Sequence, residues 1–130
     1  MAVLIDTSFL VAAEREDIDL DQALPKREQY AISVIVAAEL LHAVHRANDR
    51  QAQIRSSYVE NLLARFSAIP LDLPIARSYA RISAELARKG SLVNANDLWI
   101  GATAIAKGFS LLTVDGDFNR IPGLTRFYCK

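Results

Sequence analysis

Short apolar runs alternate with helix-length segments along this chain, and this alternation constrains its fold more than any other feature. The predicted strands cover residues 2–5, 30–33, 69–71, 110–114 and 125–128. The predicted helices cover residues 7–13, 34–48, 50–66 and 74–89, and a last helix, capped by Asn94 or Asn96, ends at about residue 107. Parallel neighbouring strands need crossover connections, which helices usually supply. The order therefore predicts an α/β fold, a three-layer sandwich around a mainly parallel sheet of about five strands.

Two segments depart from this regular alternation. Residues 14–28 mix acidic side chains with Pro25, which favours a polar connection with about one helical turn. The strand at 69–71 is bounded by Pro70 and Pro74. Because proline cannot donate to the hydrogen-bond ladder of a sheet, this strand is expected at the sheet's edge.

The length suits one domain, since separate cores need roughly 100 to 200 residues each, and residues 1–130 are expected to form it. Hydrophobic residues make up 52% of the chain. No apolar run approaches the ~18 residues of a membrane-spanning helix, and Asp6 is reached without a basic leader. The single cysteine, Cys129, cannot form an internal disulfide. These features predict a cytoplasmic protein without a membrane segment.

Charge is balanced overall but uneven along the chain. Fifteen basic residues offset fifteen acidic ones. Residues 1–40 hold 3 basic against 8 acidic residues, whereas residues 41–90 hold 8 against 4. If several of the acids converge on a cation, the remaining surface is more positive than the total suggests. A nucleic-acid partner is therefore compatible with the zero net charge.

Four acids are expected at one edge of the predicted sheet, where ligands of such folds bind. Asp6 follows the first strand, and Asp115 follows the strand at 110–114. Glu39 lies in the second turn of the helix that leaves the second strand. Asp97 opens a helix that must run back across the sheet before the strand at 110 begins. The sequence therefore predicts that these four carboxylates share a rim.

Grouped carboxylates repel one another and take up protons unless a cation joins them. An all-carboxylate site suits Mg²⁺ or Mn²⁺ better than zinc. Such a site can bind a phosphate oxygen, generate hydroxide near neutral pH and stabilise a leaving oxygen. The predicted chemistry is therefore phosphodiester hydrolysis.

Each acid also has a structural interpretation. Asp6 could cap a helix, Asp97 could be a first-turn acid, and Asp115 with Asp117 could build a turn around Gly116. Glu39 is harder to explain in this way, because it interrupts a helix that is apolar nearly all round. The functional hypothesis depends on all four acids meeting.

Other acid-based sites fit the sequence less well. Glu39 and His42 have the spacing of a di-iron ligand pair, but a second pair and four long helices are missing. The Asp115-Gly-Asp run has Arg126 at the twelfth position, where a calcium loop requires Glu. An aspartyl-phosphate enzyme would have a second acid two residues after Asp6, where Ser8 stands. His42 and His45 are interpreted as ordinary helix-surface or interface residues.

The motifs in their order resemble those of the PIN-domain nucleases, and among these the VapC-type toxins of toxin-antitoxin pairs. The resemblance covers essentially the whole chain. It is carried by the runs Leu-Ile-Asp-Thr-Ser at 4–8, Ala-Glu-Leu at 38–40, Asn-Asp at 96–97 with Ile-Gly-Ala-Thr-Ala at 100–104, Leu-Thr-Val-Asp-Gly-Asp-Phe at 112–118 and Ile-Pro-Gly-Leu at 121–124.

The resemblance implies a PIN-like sandwich and a Mg²⁺- or Mn²⁺-dependent endoribonuclease. Its metal-binding and catalytic acids would be Asp6, Glu39, Asp97 and Asp115. The protein would be a homodimer held inactive by a small antitoxin that covers the site. Thr7, Ser8 and Thr113 match polar positions that often support the acids, and Asp117 occupies a position where an acid is frequent but not uniform. The expected products carry a 5′-phosphate and a 3′-hydroxyl.

Several further points stay open in the sequence. The stripe of Arg77, Arg81 and Arg88 is either a solvated helix face or a set of RNA phosphate contacts. Trp99 and Tyr79 are expected in the core or a dimer interface. The many apolar residues between positions 34 and 66 fit either the core or a dimer interface. Two rival functions also remain, a catalytically silent PIN-like module that binds a partner and a nuclease that acts on DNA or structured nucleic acid.

Overall fold

A computed structural model of the chain describes residues 2–128, so Cys129 lies outside the described residues. Within this range four strands and six helices alternate as predicted, and a short 3₁₀ helix, Gly116–Arg120, follows the last strand. The elements are β1 (Ala2–Ile5), α1 (Thr7–Arg15), α2 (Leu20–Ala23), β2 (Gln29–Ser33), α3 (Val34–Arg46), α4 (Asp49–Arg65), β3 (Ser67–Ile69), α5 (Leu73–Arg88), α6 (Ala95–Lys107) and β4 (Ser110–Leu112).

The four strands form one parallel sheet in the order β3-β2-β1-β4. This confirms the parallel sheet. The strand predicted at 69–71 lies two residues earlier, as β3 at Ser67–Ile69, and it is at an edge of the sheet as expected. The predicted fifth strand at 125–128 is reduced to one parallel bridge between Leu111 and Arg126. There the Leu111 N–H donates to the carbonyl of Thr125 at 2.8 Å, and the Phe127 N–H donates to the carbonyl of Leu111 at 2.8 Å. The expected count of about five strands is therefore close.

Helices cover both faces of the sheet. The chain moves one way from β1 to β2 to β3, and then crosses back past β1 to reach β4. Because crossovers between parallel strands are right-handed, the helices of the first two connections lie on one face, and α5 and α6 lie on the other. Contacts agree with this division, since Tyr58 of α4 donates a hydrogen bond to the carbonyl of Leu10 in α1 at 2.8 Å. On the other face Tyr79 and Trp99 stack between α5 and α6 with ring centroids 3.9 Å apart.

The core is centred on β1, which explains its uninterrupted apolar run. Val3, Leu4 and Ile5 are completely buried because helices cover both faces of this strand. Ile32 of β2 and Leu111 of β4 are equally buried on either side. In the part of the chain that the structure describes, no helix has the length and apolarity needed to cross a bilayer.

Local signals in the sequence set the ends of the helices that surround the site. Asn94, one of the two predicted caps, accepts a hydrogen bond from the Asp97 N–H at 2.9 Å and starts α6. Gly108 ends α6 with a φ of 71°, a left-handed conformation that favours glycine. Ser33 caps α3 by accepting from the Ile35 N–H at 3.0 Å. These caps fix where Asp97 and Glu39 enter the site.

Candidate active site

The site lies where the strand order reverses, between β1 and β4. In open α/β sheets this reversal leaves a crevice outside the carboxyl ends of the strands, because the connections on either side leave to opposite faces. Asp6 directly follows β1. Asp115 follows β4 by three residues, because this strand ends at Leu112 and not at Val114 as predicted. The topology thus brings together two acids that are far apart along the chain.

Asp6 is held by two hydroxyl groups and one backbone N–H. Its Oδ2 accepts from Ser8 Oγ at 2.6 Å, from Thr113 Oγ1 at 2.8 Å and from the Ser8 N–H at 3.3 Å. Asp6 as a whole residue is 3% exposed. Asp6 therefore caps α1, as its structural interpretation predicts, and it also faces the crevice.

Thr113 and Ser8 extend this network to the loop after β4. Thr113 Oγ1 accepts from the Asp115 N–H at 3.0 Å, and Ser8 Oγ accepts from the Val114 N–H at 3.2 Å. The two hydroxyl oxygens are 2.9 Å apart. Because each hydroxyl donates towards Asp6 and accepts from the loop, the position of Asp115 is coupled to that of Asp6.

Glu39 reaches the site from the second turn of α3 and is half-buried. Its Oε1 accepts from Thr7 Oγ1 at 2.6 Å, and its Oε2 is 3.4 Å from Asn96 Nδ2, a long hydrogen bond. Both carboxylate oxygens therefore have partners. In the sequence, Glu39 was difficult to explain as a purely structural residue because its charge had no evident partner. In the structure, Thr7 of α1 and Asn96 at the start of α6 donate hydrogen bonds to it.

Asp97 lies in the first turn of α6 and is buried, with 8% exposure. Burial raises the pKa of its carboxyl to about 6, and the negative charges of Asp6, Asp115 and Glu39 add to this rise. The hydrogen bond from Asn94 Nδ2 to Asp97 Oδ2, 2.9 Å long, opposes the rise in pKa. The raised pKa means that this cluster holds more negative charge than its surroundings stabilise, the condition that favours a bound cation.

Asp115 and Asp117 lie on the turn that opens the 3₁₀ helix. Asp115 Oδ1 accepts from the Asp117 N–H at 2.9 Å, so the predicted turn around Gly116 is also present. One carboxylate oxygen from each of Asp97, Asp115 and Asp117 lies within 4.8 Å of the other two. Asp117 is exposed. It stands at the outer side of the cluster.

A cleft of about 480 Å³ brings the predicted acids together. Its walls include all four, Asp6, Glu39, Asp97 and Asp115. Thr7 and Ser8 also line it, whereas Thr113 lies behind Asp6. The cleft is therefore an acidic pocket with hydroxyl groups along one wall.

The free oxygens of the cluster fit a hard divalent cation. Among the described residues, Asp6 Oδ1, Asp97 Oδ1 and Asp115 Oδ2 accept no hydrogen bond, while the second oxygen of each carboxylate is held. None of the three free oxygens is a buried unpaired atom. Oxygens positioned in this way, with no histidine on the cleft wall, are the donor set that Mg²⁺ and Mn²⁺ prefer.

Two site residues were not singled out for this role in the sequence. Asn94 was expected only as a helix cap, yet its side chain also binds Asp97 and lines the cleft. Arg15 is the one basic residue on the described wall of the cleft. A signal for it exists, because Thr7, Val11 and Arg15 recur every four residues along α1 and so share a face.

The predicted arginine stripe lies elsewhere. Arg77, Arg81 and Arg88 are exposed on α5, and none of them lines the acidic cleft. Tyr79 and Trp99 pack between α5 and α6, in agreement with their expected place in the core or an interface. His42 is exposed on α3, one turn beyond Glu39.

The family model of the PIN domain matches residues 3–124 of the chain. This chain belongs to the PIN-domain family. The match spans the whole acidic cleft, from Asp6 to Asp115, and it confirms the resemblance found in the sequence motifs.

Among PIN-domain proteins, the chain is similar to several VapC ribonucleases. It is 36% identical to Ribonuclease VapC1 of Rickettsia felis, over 95% of this chain and 93% of that protein. It is 33% identical to Ribonuclease VapC5 of Mycobacterium tuberculosis, over 94% and 89%. A crystal structure of VapBC2 from Rickettsia felis bound to a promoter DNA fragment contains a chain that superposes with a TM-score of 0.88 at 30% identity, covering 98% of both chains. The PIN-like α/β fold is thus confirmed.

Proposed function

We propose that this protein is a metal-dependent endoribonuclease toxin of the VapC type, with Asp6, Glu39, Asp97 and Asp115 as its catalytic and metal-binding acids. The observation that supports this most is the acidic cleft, whose four carboxylates come from four separate parts of the chain. The similarity to VapC ribonucleases supports the choice of RNA as the substrate.

The acids divide into two kinds by their hydrogen bonds. Asp6, Asp97 and Asp115 line the cleft, and each has one oxygen that accepts no hydrogen bond from a described residue, so these three would hold the cation directly. Both oxygens of Glu39 have partners, so Glu39 acts from the rim through Thr7 and Asn96 or by exchanging one of these contacts. Bound Mg²⁺ or Mn²⁺ would supply a Lewis acid and an activated water.

The remaining residues position the acids. Ser8 and Thr113 hold Asp6, and Asn94 holds Asp97, so hydrogen bonds fix both carboxylates on the wall of the cleft. In the proposed reaction, water attacks the phosphorus in line, the bond to the 3′ oxygen breaks, and the products carry a 5′-phosphate and a 3′-hydroxyl. Arg15 at the end of the cleft wall can contact a phosphate oxygen of the bound strand.

The partners follow from the relatives. Solved structures of VapBC complexes from Rickettsia felis and other organisms include chains like this one, and we propose a cognate small antitoxin that covers the cleft. We also propose a homodimer, as the resemblance to the VapC-type toxins implies. Cytoplasmic location stays a prediction.

A cleavage assay tests the proposed function. The purified protein is incubated with total RNA and with single-stranded DNA, in Mg²⁺ and in excess chelator, and the ends of the fragments are sequenced. The expected result is cleavage of RNA in Mg²⁺ alone, with 5′-phosphate ends. Cleavage of DNA instead would make the protein a deoxyribonuclease, and no cleavage of either by the folded protein would favour a silent binding module.

A further inference from the structure

Three adjoining cavities run along α3 and share lining residues. The acidic cleft shares Thr7 and Glu39 with a second cavity of about 630 Å³. The second cavity shares His42 with a third of about 380 Å³, whose lining includes Arg46 of α3 and Arg55 of α4. These cavities form a continuous surface, called here the α3 path, which leads from the acidic cleft to two arginines.

Helix geometry places this path along one face of α3. Glu39, His42 and Arg46 stand at positions i, i+3 and i+7, the spacing that aligns side chains on a helix. At 1.5 Å per residue, Arg46 lies ~10.5 Å along the axis from Glu39. His42 and Arg46 are both exposed, so the path is open to solvent over this length.

The charge along the path changes from negative to positive. The third cavity has no acidic residue on its described lining, and its titratable groups are His42, Arg46 and Arg55. Arg46 makes no ion pair or hydrogen bond through its side chain with any described residue, and so its guanidinium is available to a ligand. Arg55 lies 3.3 Å from Glu14 and keeps 37% of its side chain exposed. A guanidinium presents donors that match a phosphate.

We propose that the α3 path binds the backbone of single-stranded RNA on one side of the bond that is cut. Arg46 and Arg55 contact phosphates there, and His42, which lies between Glu39 and Arg46 on α3, contacts a base or sugar nearer the cleft. If the bound strand is spaced as a stacked DNA strand is, at about 3.4 Å per nucleotide, Arg46 contacts a phosphate about three nucleotides from the acidic cleft. This assignment rests on the proposed function, and it moves the RNA contacts from the α5 stripe to α3 and α4.

The test uses two double variants that remove the same charge from different helices. Arg46→Gln with Arg55→Gln alters the α3 path, and Arg77→Gln with Arg81→Gln is the matched control on α5. Binding is followed by fluorescence anisotropy with labelled oligouridylates of two and eight nucleotides. Ca²⁺ replaces Mg²⁺, and intact RNA is verified on a gel. Binding is thus measured apart from cleavage.

The path variant is expected to bind the longer RNA about fivefold more weakly per arginine at low salt, the upper range for an exposed ion pair. Its slope of log affinity against log salt should fall by about 1.4, or 0.7 for each lost phosphate contact. The dinucleotide is too short to reach Arg46 and should bind both variants and the wild type equally. The control should bind both RNAs as the wild type does.

The single variant Arg46→Gln separates binding from folding, because it breaks no side-chain hydrogen bond or ion pair among the described residues. It should retain the wild-type melting temperature and lose about fivefold in affinity for the longer RNA. Wild-type RNA affinity in the path variant overturns the assignment, and so does an equal loss in the α5 control. Loss of antitoxin binding with RNA binding unchanged overturns it too, since the path would then hold a protein.

The two proposals fail in different ways. If the wild type binds RNA along the path but cuts none in Mg²⁺, the proposed function fails and the path stands. If the wild type cuts RNA and the path variant binds and cuts like it, the path fails and the function stands.

Discussion

Asp6 and Thr113 are 107 residues apart in the sequence, and the threonine hydroxyl donates a 2.8 Å hydrogen bond to Oδ2 of the aspartate. The same hydroxyl accepts from the N–H of Asp115, so one side chain connects the acid after β1 to the acid after β4. The relative position of two proposed metal ligands therefore depends on Thr113.

Replacing Thr113 by valine keeps the shape of the side chain and removes both hydrogen bonds. We expect the affinity for Mg²⁺ to fall about 10- to 100-fold, the usual loss when a group that orients a metal ligand is removed. Isothermal titration with Mg²⁺ measures this. Thr103→Val is the matched control, because Thr103 is also buried but bonds only to the carbonyl of Trp99 in its own helix. Equal losses in both variants would contradict the role of Thr113.

Replacing Asp6 or Asp97 by asparagine removes a proposed ligand with little change of volume. We expect RNA cleavage to fall by more than about 100-fold, beyond the loss seen for groups that only orient a ligand. Growth inhibition on expression should disappear as well. Asp49→Asn is the control, since Asp49 is an exposed acid in the first turn of α4. Wild-type cleavage by either site variant would refute the metal-site assignment.

The pH dependence of stability reports the charge on Asp97. Its pKa is raised to about 6 in the folded protein, above the ordinary value of 3.8. The contribution of Asp97 to the free energy of unfolding is therefore fully present below pH 3.8, where the carboxyl is protonated in both states. It is lost as the pH rises through 6, because the folded protein then has to hold the ionised carboxylate. Without metal, the Asp97→Asn variant should gain melting temperature relative to the wild type between pH 4 and 6, and the gain should then level off. A difference that is constant over this range would contradict the raised pKa.

Asp117 tests how far the metal site extends. Its carboxylate lies within 4.8 Å of those of Asp97 and Asp115, but its side chain is exposed. We expect Asp117→Asn to weaken Mg²⁺ binding while cleavage at saturating Mg²⁺ stays near the wild-type rate. Cleavage is measured as a function of Mg²⁺ concentration, beside Asp115→Asn. If Asp117→Asn abolishes cleavage at every concentration, Asp117 is a direct ligand and the assignment here is wrong.

The sequence predicted the parts of the fold that depend on pattern. Strand order was open, but the alternation of elements was enough to place Asp6 and Asp115 at one edge, because strand ends in a parallel sheet point the same way. The length of β4 and the loss of the last strand were missed. A three-residue strand and a single bridge depend on tertiary packing, which local propensity does not describe.

The sequence was enough to predict which acids form the site, but not how their side chains are arranged. Sequence spacing does not say which carboxylate oxygen stays free, and this property separates Asp6 from Glu39 in the structure. It also does not say where an exposed helix face lies relative to a cleft. Arg46 and the arginines of α5 all lie on predicted helices, so the sequence does not separate them. In the structure Arg46 lines the α3 path, and the α5 arginines do not.

The pairing of β1 with β4 has a consequence for incomplete chains. The acid after β1 is made early in synthesis, yet the strand that lies beside β1, with Thr113 and Asp115 just beyond it, is made late. A nascent or truncated polypeptide that stops before β4 lacks Asp115, one of the four acids of the cleft, and the Thr113 hydroxyl that holds Asp6. The proposed RNA-cleaving site is therefore complete only when nearly the whole chain has been made.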